Sequence, residues 1–230
     1  MDLNPADLRR VDVFENATDE DLEIVASNSL QRAVEDGGFF FFQGDPAAYA
    51  YILLSGRAKL LQTTPAGQQV NLRTIQPWQI FGALGAVRNP AKYPATAQAL
   101  EESIALAIES AYLNQLIQTR PYLSFGLMHQ MTEYIQEIQE RYRELATEKV
   151  ERRIARALLR LTSQMGVKEN GGIELPFTRQ ELAEMSGTTL YTVSRILAEW
   201  ERQGLVGAGR ERVILRDPHS LVKIAEELEK

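Results

Sequence analysis

The spacing of apolar and polar positions changes near the middle of the chain. After a short helical segment at residues 19–26, alternating and aromatic runs separated by glycine and proline continue to about Ile108, as in short antiparallel strands. Beyond that point apolar residues recur every three or four positions, which is typical of amphipathic helices. The chain is therefore predicted to be α+β, with a small N-terminal β-roll followed by helices.

Glycines and phenylalanines mark the predicted roll. Its short strands are separated by glycines that suit turns, namely Gly44, Gly56, Gly67 and Gly82. Four consecutive phenylalanines at residues 39–42 predict a strand buried on both faces, because phenylalanine is mostly interior. The alternative is that these rings form the wall of a ligand site.

A long helix is predicted at residues 122–146, after a shorter one that begins at Ala111 and ends near Pro121. Its apolar residues recur in alternating steps of four and three, which is a heptad seam, and they are Leu127, Met131, Tyr134, Ile138 and Leu145. Arg141 occupies the remaining seam position and interrupts it. We expect a parallel homodimer through this helix; an amphipathic helix packed on the roll is the alternative.

A further helix is predicted at residues 148–162, and the turn-rich segment 166–172 follows it. Its lysines and arginines, from Lys149 to Arg160, include candidates for DNA backbone contact. Because a charge-rich helix is usually a solvated face, the pattern assigns them no specific role.

Residues 177–206 predict two short helices joined by a tight turn. Thr178 and Glu181 have the spacing of a capping box at the start of the first helix. Gly187 provides the positive φ that the turn needs, and Thr188 or Thr189 caps the second helix. This arrangement favours a helix-turn-helix that enters a DNA groove over an ordinary helical hairpin.

The second of these helices has one apolar and one polar face. The buried stripe consists of Val193, Ile196, Leu197 and Trp200. The outward positions, which would face a groove, are Thr189, Leu190, Tyr191, Ser194 and Arg195.

Composition restricts the class of protein. With 230 residues, 44% hydrophobic and 24% charged, the chain resembles a soluble protein of two modest domains. Its apolar runs are shorter than the roughly eighteen residues of a membrane span, and its first residues lack a signal pattern. We expect a cytoplasmic protein with no membrane partner.

Cysteine is absent, and His129 and His219 are the only histidines. Disulfides, cysteine-bound iron–sulfur clusters and thiol switches are therefore excluded. The predicted roll contains no histidine, whereas metal chemistry in such a barrel needs clustered histidines and carboxylates. We expect neither an enzyme nor a metal site.

The net charge of −6 is unusual for a DNA-binding protein, but it is unevenly distributed. Residues 1–146 hold 11 basic and 18 acidic side chains, whereas residues 147–223 hold 13 basic and 10 acidic ones. The positive charge thus lies with the predicted helix-turn-helix.

Residues 177–206, with LVGAGRERVILRD at their end, resemble the winged helix-turn-helix of the CRP/FNR family of bacterial transcription regulators, and residues 37–87 resemble its sensor domain. The resemblance covers nearly the whole chain. It implies a double-stranded, jelly-roll-like β-roll at 1–120, a dimerisation helix at 121–147 and a DNA-binding domain at 148–230. It also implies a homodimer on an inverted repeat in double-stranded DNA, with RNA polymerase as a further partner.

The resemblance also implies a set of DNA contacts. Arg195 matches an arginine of the family, and its guanidinium suits guanine O6 and N7; Ser194 matches the serine that FNR-like members place before that arginine. Tyr191 and Leu190 depart from the glutamate and arginine of relatives, which predicts a different half-site, and Thr189 completes the base-reading set. Backbone contacts are expected from residues that match the family's TRQ and from the wing: Thr178, Arg179, Gln180, Arg210 and Arg212.

The cyclic-AMP-binding residues of the family are largely missing. Ala83 replaces the ribose-binding glutamate, Tyr93 and Pro94 replace the phosphate-binding arginine and serine, and Ile138 and Gln139 replace the adenine-binding pair. Cyclic AMP in the usual pose is not expected, since burying its phosphate without a cation is costly. The pocket would be lined by Phe81, Gly82, Ala83, Leu84, Tyr93, Met131, Tyr134 and Ile138, which suits an apolar effector, a haem or no ligand.

Two alternatives to an effector-gated regulator remain. KYPATAQALE, at residues 92–101, resembles the matching segment of relatives that sense nitric oxide through haem, but His129 and His219 are the only imidazole ligands. A constitutive regulator, in which the roll only supports the dimer, is the other. A regulator that responds to an effector should change its DNA affinity when the effector is added, whereas a constitutive one binds as purified.

Overall fold

The computed structural model describes residues 3–65, 69–86, 92–169, 172–209 and 212–226. The chain divides into two compact units, Met1–Gln136 and Glu137–Lys230. The predicted α+β class is confirmed: the first unit is built mainly of antiparallel strands, and the second is mainly helical.

The first unit contains two four-stranded antiparallel sheets. One sheet has the order β1-β8-β3-β6 and the other β2-β7-β4-β5. Their strands are β1 Ser29–Val34, β2 Phe39–Phe41, β3 Tyr49–Ser55, β4 Ala58–Thr63, β5 Gln69–Ile75, β6 Ile80–Phe81, β7 Thr96–Ala99 and β8 Ser103–Glu109. Consecutive strands alternate between the sheets in places, so that neither sheet is a simple meander and the two fold over each other as a roll.

Four helices complete this unit: α1 Asp19–Ser27, α2 Ala83–Ala86, α3 Ser110–Thr119 and the first part of α4 Pro121–Thr147. The sequence pattern did not predict the two 3₁₀ helices that precede them, Pro5–Arg10 and Asp12–Phe14. Leu8 and Phe14 of these segments are fully buried in the core. Gly126 of α4 allows this packing, because a Cβ there would lie 2.8 Å from Val13 Cα.

An ion pair ties α1 to the start of α4. Arg120 Nε donates to Asp21 Oδ1 over 2.6 Å. Burial is the largest single effect and acts to raise the pKa of Asp21. Hydrogen bonds from Arg120, Tyr122 and Thr18, together with the charge of Arg120, outweigh it in sum, so the pKa is lowered. The carboxylate therefore stays ionised at neutral pH.

The four phenylalanines are not buried on both faces as predicted. Phe40 and Phe41 are buried in the core, whereas Phe39 and Phe42 are 38% and 50% exposed. β2 is an edge strand with an irregular register between Phe39 and Phe41, so only its middle rings face the core. Phe41 stacks on Tyr93 at 3.7 Å between ring centroids and meets Phe81 at 6.1 Å.

At Gly56 the structure shows why the turn requires glycine. Its φ is +79°, and a Cβ there would collide with Ser103 Oγ and the Glu102 carbonyl, so both conformation and space require glycine. Gly44 and Gly82 also have positive φ. Gly67 lies outside the described residues.

The second unit packs helices against a small sheet of order β11-β12-β10-β9. Its helices are the end of α4, α5 Val150–Met165, α6 Arg179–Ser186, α7 Leu190–Arg202 and α8 Pro218–Glu226, and its strands are β9 Val167–Glu169, β10 Gly172–Leu175, β11 Val206–Ala208 and β12 Val213–Leu215. The prediction of a turn-rich segment at 166–172 was incomplete, because β9 and the start of β10 lie there and pair with each other. Pairing of β10 with β12, distant in sequence, stabilises them.

Candidate nucleic-acid interface and ligand cavity

The predicted capping box at the start of α6 is present. Thr178 Oγ1 accepts from the Glu181 backbone N–H at 3.1 Å, and Glu181 Oε2 accepts from the Thr178 backbone N–H at 2.6 Å. These reciprocal bonds satisfy two of the unpaired N–H groups of the helix end. They fix where α6 begins and which way it points.

Gly187 forms the turn between α6 and α7 in the left-handed conformation, with φ +61° and ψ +45°. A Cβ at this position would lie 2.5 Å from Leu145 Cδ2 on α4. Arg153 of α5 also donates to the carbonyls of Ser186 and Gly187, at 3.0 and 3.3 Å. The helix-turn-helix is therefore held from both sides by α4 and α5.

α7 presents the face that the sequence predicts. Thr189 caps it by accepting from the Thr192 backbone N–H at 3.2 Å, and its stripe is buried: Val193, Ile196, Leu197 and Trp200. On the opposite side Tyr191 is 78% and Leu190 47% exposed, Thr189 and Arg195 are exposed, and Ser194 is half-buried. Within the described part of the chain, Arg195 forms no ion pair.

Three of the five candidate backbone contacts already have partners within the protein. The Thr178 hydroxyl donates to Glu181 at 2.8 Å, and Gln180 Nε2 donates to Glu184 at 2.9 Å. Arg212 pairs with Glu174 at 3.1 Å. Arg179 is half-buried, and its Nε has no hydrogen-bond partner among the described residues.

The wing hairpin is formed by β11 and β12, with Val206 opposite Leu215 and Ala208 opposite Val213. Arg210 lies outside the described residues, whereas Arg212 precedes β12 and is exposed. The Arg216 side chain runs along Gly207, whose Cβ would lie 3.1 Å from it. The hairpin follows α7 directly in the sequence and belongs to the same sheet as β10. It carries the cationic side chains of Arg212 and Arg216.

The arginines of α5 contact the protein itself. Arg152 donates to the Ala225 carbonyl of α8 at 3.3 Å. Arg156 forms an ion pair with Glu148 at 3.2 Å, and Arg160 with the buried Glu144 at 2.6 Å. These pairs join α5 to the last turn of α4 and to the residue that follows it.

The first unit contains a mostly apolar cavity of about 130 Å³ between the sheet and α4. Six of the residues predicted for the pocket line it: Phe81, Gly82, Ala83, Leu84, Met131 and Tyr134. Ile138 does not line it and is exposed. Tyr93 lies behind Phe41 and its hydroxyl donates to the Tyr49 carbonyl at 2.7 Å, and burial raises its pKa to about 12.

One cavity residue that sequence reasoning missed is a cation. Arg73 of β5 lines the cavity together with its neighbour Leu72. The register of β4 and β5 shifts between Leu60 and Leu61, where Leu72 is the extra residue. A β-bulge breaks the alternation of side chains, so that Leu72 and Arg73, which are adjacent in sequence, both line the cavity.

Haem does not fit this cavity. Among the described residues that line it there is no histidine, and about 130 Å³ is far less than a macrocycle needs. His129 is 70% exposed and lies 3.5 Å from Glu133. In the described part of the chain, no three His, Cys, Asp or Glu side chains are grouped to hold a metal.

The exposed face of α4 differs from the predicted seam. Leu127 packs on the core and lines the cavity, and Tyr134 also lines the cavity. The exposed apolar side chains recur in steps of three and four, and they are Met128, Met131, Ile135, Ile138, Tyr142 and Leu145. We call these six residues the α4 stripe. Tyr142 occupies the step at which the predicted seam had Arg141, and Arg141 instead pairs with Glu137 at 2.7 Å.

None of the helices that the structure describes is apolar over a length that would span a bilayer.

Comparison with known proteins agrees with this architecture. Residues 31–120 match the cyclic nucleotide-binding domain, and residues 152–224 match the Crp-like helix-turn-helix domain. The CRP-like cAMP-activated global transcriptional regulator of Mycobacterium tuberculosis is 26% identical over 82% of this chain and 85% of its own length. The transcriptional activator protein anr of Pseudomonas aeruginosa is 28% identical over 84% of this chain and 80% of its own length.

Among solved structures, the c-di-GMP responsive global regulator CLP of Xanthomonas campestris has the same fold. Its TM-score is 0.78 at 22% identity, and the match covers 86% of this chain and 99% of that one. The two matched domains, their order along the chain and the helix-turn-helix geometry lead to one conclusion: the chain belongs to the CRP/FNR family of transcription regulators.

Proposed function

We propose that the protein is a homodimeric regulator that reads an inverted repeat in double-stranded DNA with α7 and does not respond to cyclic AMP. The observation that carries the proposal is the outward face of α7, where Arg195 has no ion pair in the described structure and Tyr191 is largely exposed. A helix presented in this way by a capped helix-turn-helix fits the major groove. The family relation supports a role in transcription regulation.

Base reading is assigned to Arg195, Ser194, Tyr191, Leu190 and Thr189. The Arg195 guanidinium suits guanine, and each such bidentate contact discriminates by about 1–3 kcal/mol. Leu190 and Tyr191 bring apolar surface that suits a thymine methyl group. The half-site should therefore contain a guanine next to a thymine.

Phosphate contacts are assigned to Thr178, Arg179, Gln180, Arg212 and Arg210. Arg212 and Gln180 have carboxylate partners in the unbound protein, so binding exchanges a surface pair for a phosphate. Exposed ion pairs contribute little, and the exchange is therefore inexpensive. These contacts fix orientation and carry no sequence information.

The α4 stripe supports a parallel dimer. Its six apolar side chains are exposed in a single chain, and their alternating spacing is that of a two-stranded coiled coil. A second copy of the same helix covers all of them at once and gives the two-fold symmetry that an inverted repeat needs. RNA polymerase is the further partner that a promoter-bound regulator of this family would meet.

The substitutions around the cavity argue against binding of cyclic AMP. The Mycobacterium tuberculosis relative is described as cAMP-activated, but here Tyr93 fills the place of the phosphate anchor. Its ring stacks on Phe41 and its hydroxyl is bonded to the Tyr49 carbonyl, so the space for a phosphate is occupied. The same packing favours constitutive DNA binding as the second candidate.

The proposal is tested by selecting binding sites from random duplexes with the protein as purified. We expect a palindromic consensus, unchanged when cyclic AMP is added, and one dimer per site by mass. A consensus without symmetry would contradict the dimer, and selection that succeeds only with cyclic AMP would contradict the effector assignment. Intact-mass analysis of the same sample checks whether a small molecule is carried along.

A further inference from the structure

The only charged side chain among the described residues that line the cavity of the first unit is a cation. The walls of the cavity come from apolar side chains of the sheet, of α2 and of α4. Among the described residues that line it there is no aspartate or glutamate, and Arg73 is the one side chain with a permanent charge. The cavity therefore favours an occupant that is apolar over most of its surface and anionic at one point.

In the part of the chain that the structure describes, no counter-ion compensates the charge of Arg73. This arginine is half-buried on β5, and within the described ranges no carboxylate forms an ion pair with it. Its guanidinium carbon lies 5.9 Å from the ring centroid of Tyr134, which is a weak cation–π contact. A guanidinium kept partly out of water without an anion is costly, and a bound carboxylate would remove that cost with two parallel hydrogen bonds.

The volume restricts the size of the occupant. A dry apolar cavity of ~150 Å³ accepts one benzene ring, and this cavity measures about 130 Å³. A single ring with one small substituent fits such a space, whereas a nucleotide or a cyclic dinucleotide does not. Phe41, Phe81 and Tyr134 supply aromatic surface for the ring.

A second polar side chain of the cavity lining completes the binding site. Gln130 of α4 also lines the cavity, and its side-chain amide can donate to a second carboxylate oxygen. Arg73 on the sheet and Gln130 on the helix would hold the two oxygens of one carboxylate.

From this geometry we infer that the cavity binds a small aromatic monocarboxylate, with its carboxylate on Arg73 and its ring among the apolar side chains. The inference rests on the proposed function only in treating the roll as the sensor. The proposed carboxylate site differs from the phosphate site implied by the family resemblance, because the anchoring arginine is on β5.

Occupancy would act on α4. Leu127, Gln130, Met131 and Tyr134 line the cavity from successive turns of this helix, and Met131 also belongs to the α4 stripe. A ring placed against these residues fixes the helix that carries the dimer contact. Ligand binding would therefore change the position of the α4 stripe and its dimer contact.

The test uses the full chain without DNA and measures benzoate and benzamide binding by calorimetry. Benzamide has the same ring and nearly the same shape but no charge. We expect benzoate to bind about tenfold or more tightly than benzamide, as loss of a charge-assisted hydrogen bond implies. Arg73→Gln should weaken benzoate by about ten- to a hundredfold and leave benzamide within about threefold, and Arg73→Lys should lie between.

If wild-type protein binds benzoate and benzamide with equal affinity, or binds neither, the inference is overturned without any variant. Unchanged benzoate affinity in Arg73→Gln, with unaltered thermal unfolding, would overturn the role of Arg73. DNA binding by the same samples is measured separately. A protein that selects a palindrome but ignores benzoate refutes this inference and leaves the proposed function intact.

Discussion

At Gly187 two separate constraints exclude a side chain: its φ is +61°, and a Cβ would press on Leu145. Gly204 has a similar φ of +75°, but no atom lies within 4 Å of the Cβ position. We expect Gly204→Ala to cost about 1 kcal/mol, the strain of a left-handed alanine. Gly187→Ala should cost more, about 1–2 kcal/mol, because the Leu145 side chain must also move aside.

The measurement is chemical denaturation of both variants, with Leu145→Ala and the double variant Gly187→Ala/Leu145→Ala. Removing Leu145 should recover part of the Gly187→Ala loss, since the overlap is then gone. Equal losses in the two glycine variants, with no recovery in the double variant, would show that the contact with α4 has no energetic weight.

Arg179 is expected to act on DNA of any sequence. Arg179→Ala should weaken all duplexes alike and reduce the slope of log K against log salt by about 1, as loss of one phosphate contact does. Arg9→Ala, which breaks the exposed pair with Asp19 in the first unit, is the matched control and should leave the slope unchanged. A slope in Arg179→Ala equal to that of the wild type refutes the phosphate contact.

Single residues differ in how far the sequence predicts them. The capping box and the turn glycine follow from local rules that act over three or four residues, and both are present. Arg73 could not be predicted, because the register shift in β5 depends on how that strand pairs with β4. The exposure of Phe39 and Phe42 likewise depends on β2 being an edge strand.

At the scale of elements, the spacing of apolar residues in α4 did not determine which face of the helix is exposed. A period of three and four fits two registers of this helix, one through Leu127 and Tyr134 and one through Met128 and Ile135. Which of them faces outward is decided by packing on the first unit, which takes Leu127 and Tyr134 inward. The stripe left exposed has Tyr142 in place of Arg141 and is continuous.

The stripe gives a direct prediction for assembly. Ile135→Glu should shift the dimer towards monomer by at least about tenfold in dissociation constant, because two carboxylates would face each other across the two-fold axis in place of a packed pair. Gln136→Glu adds the same charge one position away, off the stripe, and should leave the dimer unchanged. Sedimentation velocity over a concentration series measures both.

A dimer that tolerates Ile135→Glu as well as Gln136→Glu would contradict the assignment of the stripe. Retained helix content in both variants, by circular dichroism, separates loss of assembly from loss of folding. Loss of specific DNA binding in Ile135→Glu alone would follow from the loss of two-fold symmetry.

For the whole molecule, the order of domains and the placement of charge were predictable because they depend on composition over long segments. The excess of basic side chains in residues 147–223 accompanies the helix-turn-helix match at 152–224. The structure also shows that many of these arginines are used inside the protein, as in the pairs of Arg156 and Arg160. Net charge therefore indicates the DNA-binding half without identifying the residues that touch DNA.

The central claim is that α7 reads sequence through Arg195, and a binding titration across base variants of the selected repeat tests it most directly. Wild-type protein and Arg202→Ala, which alters an exposed arginine paired with Glu199 on the same helix, should both prefer one guanine in each half-site by about five- to a hundredfold. Arg195→Ala should lose that preference at this position and keep it elsewhere. Unchanged discrimination in Arg195→Ala would contradict the account.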